Sequence, residues 1–184
     1  PAGGTLLARV ALANDNPAVY EGPETFGLRA ANGGGTAATG TATIVDGGTG
    51  SIYPDNTTGA ADAGAVKDDD RTLSVNPITV NEASDYAVFT VSGTAGRVVS
   101  LALLEGSGSN TADLAAQTLK VWNATSSTWD DYATSITLPA GGTLYVRVAI
   151  GQEQDASYEG GEPFQLVVTP SSGSAVTGTA TIRD

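Results

Sequence analysis

No cysteine, methionine or histidine occurs anywhere in this 184-residue chain. Without cysteine there is no disulfide, no thiolate nucleophile and no cysteine-ligated zinc. Without histidine the usual proton shuttle and the commonest transition-metal ligand are missing. Basic residues are also scarce: 8 Lys and Arg stand against 20 Asp and Glu, a formal net charge of −12. Such a chain repels nucleic acid and anionic lipid and attracts cations. No apolar run approaches the ~20 residues that cross a bilayer, so membrane insertion is not expected. No signal peptide is visible. Charged residues make up only 15% of the chain, and Gly, Thr, Ser, Ala and Val dominate. That mixture suits a secreted bacterial β-protein at the cell surface better than a cytosolic enzyme.

What is present is a repeat. Residues Pro1–Asp46 run from PAGGTLLARVAL through YEGPETFGL to TGTATIVD, and Pro139–Asp184 run from PAGGTLYVRVAI through YEGGEPFQL to TGTATIRD. The match has no gap, at the constant offset that sets Pro1 against Pro139, and roughly half of the positions are identical. Residues 1–46 therefore read as the C-terminal part of a preceding unit. Residues 47–70 read as an inter-repeat junction, and 71–184 as one whole β-sandwich repeat. The first part is completed either within a longer protein or by another chain. In the junction, a flexible linker is one reading. Edge pairing of Ser51–Tyr53 or Val66–Lys67, with Asp68, Asp69 and Asp70 left for metal, is the other.

Period-two alternation supplies the structural signal. In Thr143–Ile150, Leu144, Val146, Val148 and Ile150 fall on one face, with Tyr145, Arg147 and Ala149 on the other. The first copy predicts the same strand, with Leu6, Ala8, Val10 and Leu12 inward. Phe164, Leu166 and Val168 form another strand, and Val176, Ala180 and Ile182 the last. Further strands are expected at Thr72–Val75, Ile78–Asn81, Tyr86–Ser92, Arg97–Leu104, Thr118–Trp122 and Ser135–Leu138, with one short turn at Thr111–Gln117. No stretch carries a capped 3.6-residue period. Short strands punctuated by Gly, Pro, Asn and Asp imply an all-β fold, an immunoglobulin-like antiparallel β-sandwich in tandem repeat.

Carboxylates are the chemistry-bearing groups. Glu159 and Glu162 lie three apart before the inward Phe164, as Glu21 and Glu24 do before Phe26. Glu153 and Asp155 lie upstream, opposite Asp15 in the first copy, and the closing strands end in Asp46 and Asp184. Crowded carboxylates repel one another unless a cation sits among them. Ca2+ suits such a set, since it takes ~6–8 oxygen ligands from loops. A transition metal would recruit His or Cys. The other reading is that Glu159 and Glu162 cap backbone amides or face water.

These segments resemble the Calx-beta motif, found in sodium–calcium exchangers, integrin β4 and many bacterial surface proteins. The resemblance rests on Val148–Ile150 (V-x-I), the acidic loop Glu153–Asp155, Glu159–Phe164 (E-G-x-E-x-F) and Gly178–Asp184 (G-T-A-T-I-x-D). Ile78–Ser84 resembles the family's opening strand, and Asn110–Leu114 its G-x-D-Y loop. The resemblance implies Ca2+ at one end of the sandwich, held by Glu82, Asp113, Glu153, Glu159, Glu162 and Asp184. In the first copy it implies Asp15, Glu21, Glu24 and Asp46. Two departures thin the charge: Gln152-Glu153-Gln154-Asp155 replaces a run of Asp, and Asp46 is followed by Gly47-Gly48. Fewer charges imply a site of about 10⁻⁴–10⁻³ M, as in extracellular modules.

Trp122, Trp129 and Tyr132 are read in two ways: as a sugar-stacking platform, or with Trp122 closing the core and the others shielding a hairpin. Nothing resembles a catalytic constellation. The expected role is a structural repeat of a bacterial surface or biofilm adhesin, a calcium-stiffened spacer whose partners are neighbouring repeats. Two alternatives stand beside it. One is a filament or surface-layer subunit completed by β-strand exchange with identical chains. The other is a carbohydrate-binding sandwich that takes surface glycans.

Overall fold

The computed structural model describes residues 4–13, 19–55, 58–105, 118–151, 158 and 160–183. The chain divides into two compact units, Pro1–Asp70 and Arg71–Asp184. The Thr111–Gln117 turn lies outside the described residues.

The first unit holds one hairpin, β1 (Glu24–Ala30) against β2 (Ala38–Ile44). Its junction segment makes two isolated bridges, Gly47 with Asp69 and Ile52 with Asp62. Ile52 is thus paired, though not at a sheet edge, whereas Val66 is 89% exposed.

The second unit is a sandwich of ten strands: β3 (Leu73–Val75), β4 (Ile78–Asn81), β5 (Tyr86–Gly93), β6 (Val98–Glu105), β7 (Lys120–Asn123), β8 (Thr128–Asp131), β9 (Ile136–Thr137), β10 (Thr143–Ala149), β11 (Gly161–Pro170) and β12 (Val176–Arg183). One sheet has the order β3-β5-β10-β7-β8, the other β4-β12-β11-β6-β9. All pairs are antiparallel except β4 with β12, which is parallel. The exception follows from Pro77. Lacking an N–H and fixed in φ, proline interrupts the ladder between β3 and β4, and the chain changes sheets there.

The expected alternation fills the core. Ala87, Phe89 and Val91 of β5, Leu144, Val146 and Val148 of β10, Phe164, Leu166 and Val168 of β11, and Ala180 and Ile182 of β12 are buried. Phe89 meets Phe164 edge-to-face across the two sheets, with centroids 5.8 Å apart. Each of the Val, Leu, Ile and Phe side chains among them contributes about 1.5–3 kcal/mol by leaving water. Backbone closeness shapes the rest. Gly142 has φ +68°, and a Cβ there would lie 2.4 Å from the Gly93 carbonyl oxygen. Gly178 leaves room for Val75, whose Cγ1 would be 2.3 Å from an added Cβ.

Comparison of the two copies tests the repeat directly. β1 pairs with β2 as Glu24↔Ile44, Phe26↔Ala42 and Leu28↔Gly40; β11 pairs with β12 as Glu162↔Ile182, Phe164↔Ala180 and Leu166↔Gly178. The registers are the same at the repeat offset.

The predicted first-copy strand is a correction. Residues 4–12 form no strand, and Leu6, Val10 and Leu12 are 85%, 57% and 57% exposed. Their counterparts Leu144, Val148 and Ile150 are 2%, 0% and 4% exposed. The physical reason lies in the ladder. β10 is held between β5 and β7, and residues 1–70 contain no counterpart of either strand. The hairpin survives because each of its strands carries its partner with it.

Candidate functional site

At one end of the second unit, several chain segments meet. β4 runs into Glu82, β5 starts at Tyr86, β10 finishes at Ala149, β11 starts at Gly161 and β12 finishes at Arg183. Hydrogen bonds stitch this end together. The Arg183 carbonyl accepts from the Glu82 N–H (2.8 Å) and from Asn81 Nδ2 (3.1 Å). Asn81 Oδ1 accepts the Ala83 N–H (3.0 Å), the Asn81 carbonyl accepts the Ser84 N–H (2.9 Å), and the Asp85 carbonyl accepts the Ile150 N–H (3.1 Å). Asparagine fits this corner because its side chain donates and accepts at once.

Strand parity sets one expected acid on the inward side of this end: Glu162 of β11 shares parity with the buried Phe164. Glu82 follows β4 in a turn, its N–H bonded to the Arg183 carbonyl. Both acids are half-buried. Asp113, Glu153, Glu159 and Asp184 lie outside the described residues, as does Asp15 in the first copy. β6 ends at Glu105, opposite Phe164, and β7 begins at Lys120, opposite Arg147, so both strand ends fall at this same end.

In the first copy, Asp46 caps the chain. Its Oδ2 accepts the Glu21 N–H at 2.7 Å, and its carbonyl accepts the Asp70 N–H at 3.1 Å. Its Oδ1 is buried with no hydrogen-bond partner, a costly condition for a carboxylate oxygen. Glu21 and Glu24 are exposed. Among the described residues, no three acidic side chains come together as a metal site. The donor chemistry nevertheless fits a hard cation. Every candidate is a carboxylate, and Asp46 carries an orphaned oxygen.

A second constellation occupies the outer face of the sheet that contains β10. Arg147 points outward, its Cζ 4.0 Å from the Tyr86 ring centroid and 4.6 Å from that of Trp129. Trp129 meets Trp122 edge-to-face at 5.5 Å. Trp122 therefore lies on the outer face, directly opposite Trp129 in the β7–β8 ladder, and does not close the core. Tyr132 takes that place: its hydroxyl accepts the Leu101 N–H (2.9 Å) and donates to the Thr134 carbonyl (2.6 Å). It stands in the ladder where β9 stops. Alternation along β10 showed Arg147 outward, but the two rings that flank it come from two other strands, β5 and β8.

The β7–β8 hairpin is organised by polar groups. Asp130 accepts from Asn123 Nδ2 and Thr128 Oγ1, both at 2.8 Å, and Lys120 pairs with Asp131 at 2.5 Å. Hydrogen bonds from Asn123 and Thr128, aided by the Lys120 charge, hold the Asp130 carboxyl below the usual carboxylate range. β8 was not expected from sequence, since two of its four residues are Asp, which strands disfavour.

No protein-family model matches the chain, and no curated protein sequence matches it. Solved structures share its outline. The periplasmic chaperone SfaE is 7% identical, with 61% of this chain and 56% of that one covered, at a TM-score of 0.40. ACE19, the collagen-binding subdomain of the Enterococcus faecalis surface protein ACE, is 10% identical, with 62% and 96% covered, at 0.30. AggA, the major subunit of aggregative adherence fimbriae type I from Escherichia coli, is 16% identical, with 61% and 93% covered, at 0.29. The chain spans just over half the length of the first of these. The immunoglobulin-like sandwich stands on the strand pairing itself.

Proposed function

We propose that the chain is a stretch of a tandem β-sandwich protein displayed outside the cell, a non-enzymatic spacer in bacterial surface adhesion stiffened by calcium. The observation that carries this reading is the shared register of the two closing hairpins, which supports a repeated unit. The Calx-beta resemblance and the half-buried acids Glu82 and Glu162 support the calcium part. The orphaned Asp46 oxygen supports it at the equivalent of Asp184. Among the described residues, no helix is long and apolar enough to cross a membrane.

The chain's own residues do the mechanical work. Asn81 and Glu82 clamp the last residues of β12, so tension along the chain at this point loads hydrogen bonds between strands. Calcium, when bound, would neutralise the carboxylates and tie loop to loop. A ligand at ten to a hundred times its dissociation constant adds about 1.4–2.7 kcal/mol. Melting the chain in millimolar calcium and again in chelator tests this. Calcium should raise Tm by several degrees, and Glu162→Gln should remove the difference. Equal Tm under both conditions would sink the calcium role.

A second reading, subunit assembly by strand exchange, is favoured by the exposed Leu6, Val10 and Leu12, whose counterparts are buried in the second unit. Those strands would be completed by edges from an identical chain.

A further inference from the structure

The repeat offers an internal comparison for the outward arginine. Arg9 and Arg147 occupy the same repeat position. In the first unit, the Arg9 guanidinium is paired with the carboxylate of Asp55, from the junction segment. In the second unit, Arg147 has no carboxylate partner among the described residues, and its Nε is buried without a hydrogen bond. In a chain of net charge −12, a cation left with aromatic rings alone stands out. The rings hold the guanidinium in place and desolvate it, which strengthens any ion pair it makes.

The junction segment has the complementary chemistry. Ile52 and Tyr53 are 36% and 68% exposed, and the Asp55 side chain 89%. Pro54 and Tyr53 offer flat apolar surface beside a single carboxylate. The face around Arg147 offers the half-buried Trp122 and Trp129, with Tyr86 and Tyr145 at 38% and 45% exposure. We propose that this outer face is a docking surface for the Ile52–Asp55 segment of a second copy, with Asp55 on Arg147 and Tyr53-Pro54 against the tryptophans. Leaving Arg9 costs the segment little, because an exposed ion pair is worth about 0.2–1 kcal/mol. A segment of one copy on the sheet of another is a heterologous contact, so it propagates into chains instead of closing as a dimer. This goes beyond the spacer reading and does not depend on calcium.

Sedimentation velocity of the full chain over a concentration series, in chelator, tests the inference. The chain should form species beyond the dimer as concentration rises. Asp55→Asn, a change outside the sandwich, should weaken association at least tenfold, and so should Arg147→Glu. Asp55→Arg alone should stay monomeric, while a mixture of Asp55→Arg with Arg147→Glu should associate again, since each then presents the other's complement. A wild-type chain that is monomeric throughout, or a mixture that fails to associate, overturns the proposal. So does retention on a neutral polysaccharide gel that Trp129→Ala abolishes while sedimentation stays unchanged. That result would make the face a glycan platform.

Discussion

Leu166 and Leu28 hold the same repeat position, yet Leu166 is 0% exposed and Leu28 is 50% exposed. Truncating each to alanine makes a matched pair in which chemistry is constant and burial differs. Leu166→Ala removes buried carbon worth roughly 2 kcal/mol in transfer, and the cavity left beside Phe164, Val168 and the cross-strand Leu103 adds to it. The expected cost is about 3 kcal/mol, within the range measured for buried leucines. For a unit of this size each kcal/mol moves Tm by about 5 °C, so the second unit should melt about 15 °C lower. Leu28→Ala opens no cavity and should change Tm by the equivalent of about 0.5 kcal/mol or less. Thermal melts followed by circular dichroism, with urea unfolding to check that the m-value is unchanged, provide the assay. Equal losses in the two variants would refute the reasoning, because they would require Leu28 to be buried as deeply as its counterpart.

Further outcomes follow from single contacts. Tyr132→Phe leaves the Leu101 N–H without its acceptor and should cost about 1–3 kcal/mol in urea unfolding. Gly178→Ala drives a methyl group into Val75 and should cost a similar 1–3 kcal/mol, whereas Gly40→Ala, which meets nothing within 4 Å, should be near neutral. Asp130 has a folded pKa held below its ordinary value. Its contribution is therefore present at neutral pH and lost as pH falls through that lowered value. Tryptophan fluorescence of the β7–β8 hairpin should step in this acid range, and Asp130→Asn should remove the step.

Much of the fold could be read from the chain because alternation reports burial directly. Leu144, Val146 and Val148 are inward as expected, and so are Phe164, Leu166 and Val168. The repeat offset also carries over to strand pairing, which is the same in β1–β2 and β11–β12. The same alternation misled at Leu6–Leu12, since a pattern states which face a strand would bury but not whether its neighbours exist. β8 escaped because Thr128-Trp129-Asp130-Asp131 has poor strand propensity, and its pairing depends on Asn123, Thr128 and Lys120 answering the two aspartates. Of the two readings of Trp122, the core-closing one fails, because its pairing with Trp129 sets it on the outer face. That β4 and β11, next to Glu82 and Glu162, reach one end of the sandwich depends on strand pairings far apart in sequence, and the Arg147 stack draws on four strands for the same reason.

The central claim is that the acids at the loop end of the sandwich hold calcium. Anomalous diffraction from crystals of the chain grown in calcium tests it most directly. The account predicts an anomalous peak at the end where Asn81–Glu82 meets Glu162, coordinated by carboxylate oxygens at ~2.3–2.6 Å. Well-ordered acidic side chains at that end with no peak among them, in crystals soaked at tens of millimolar calcium, would contradict it.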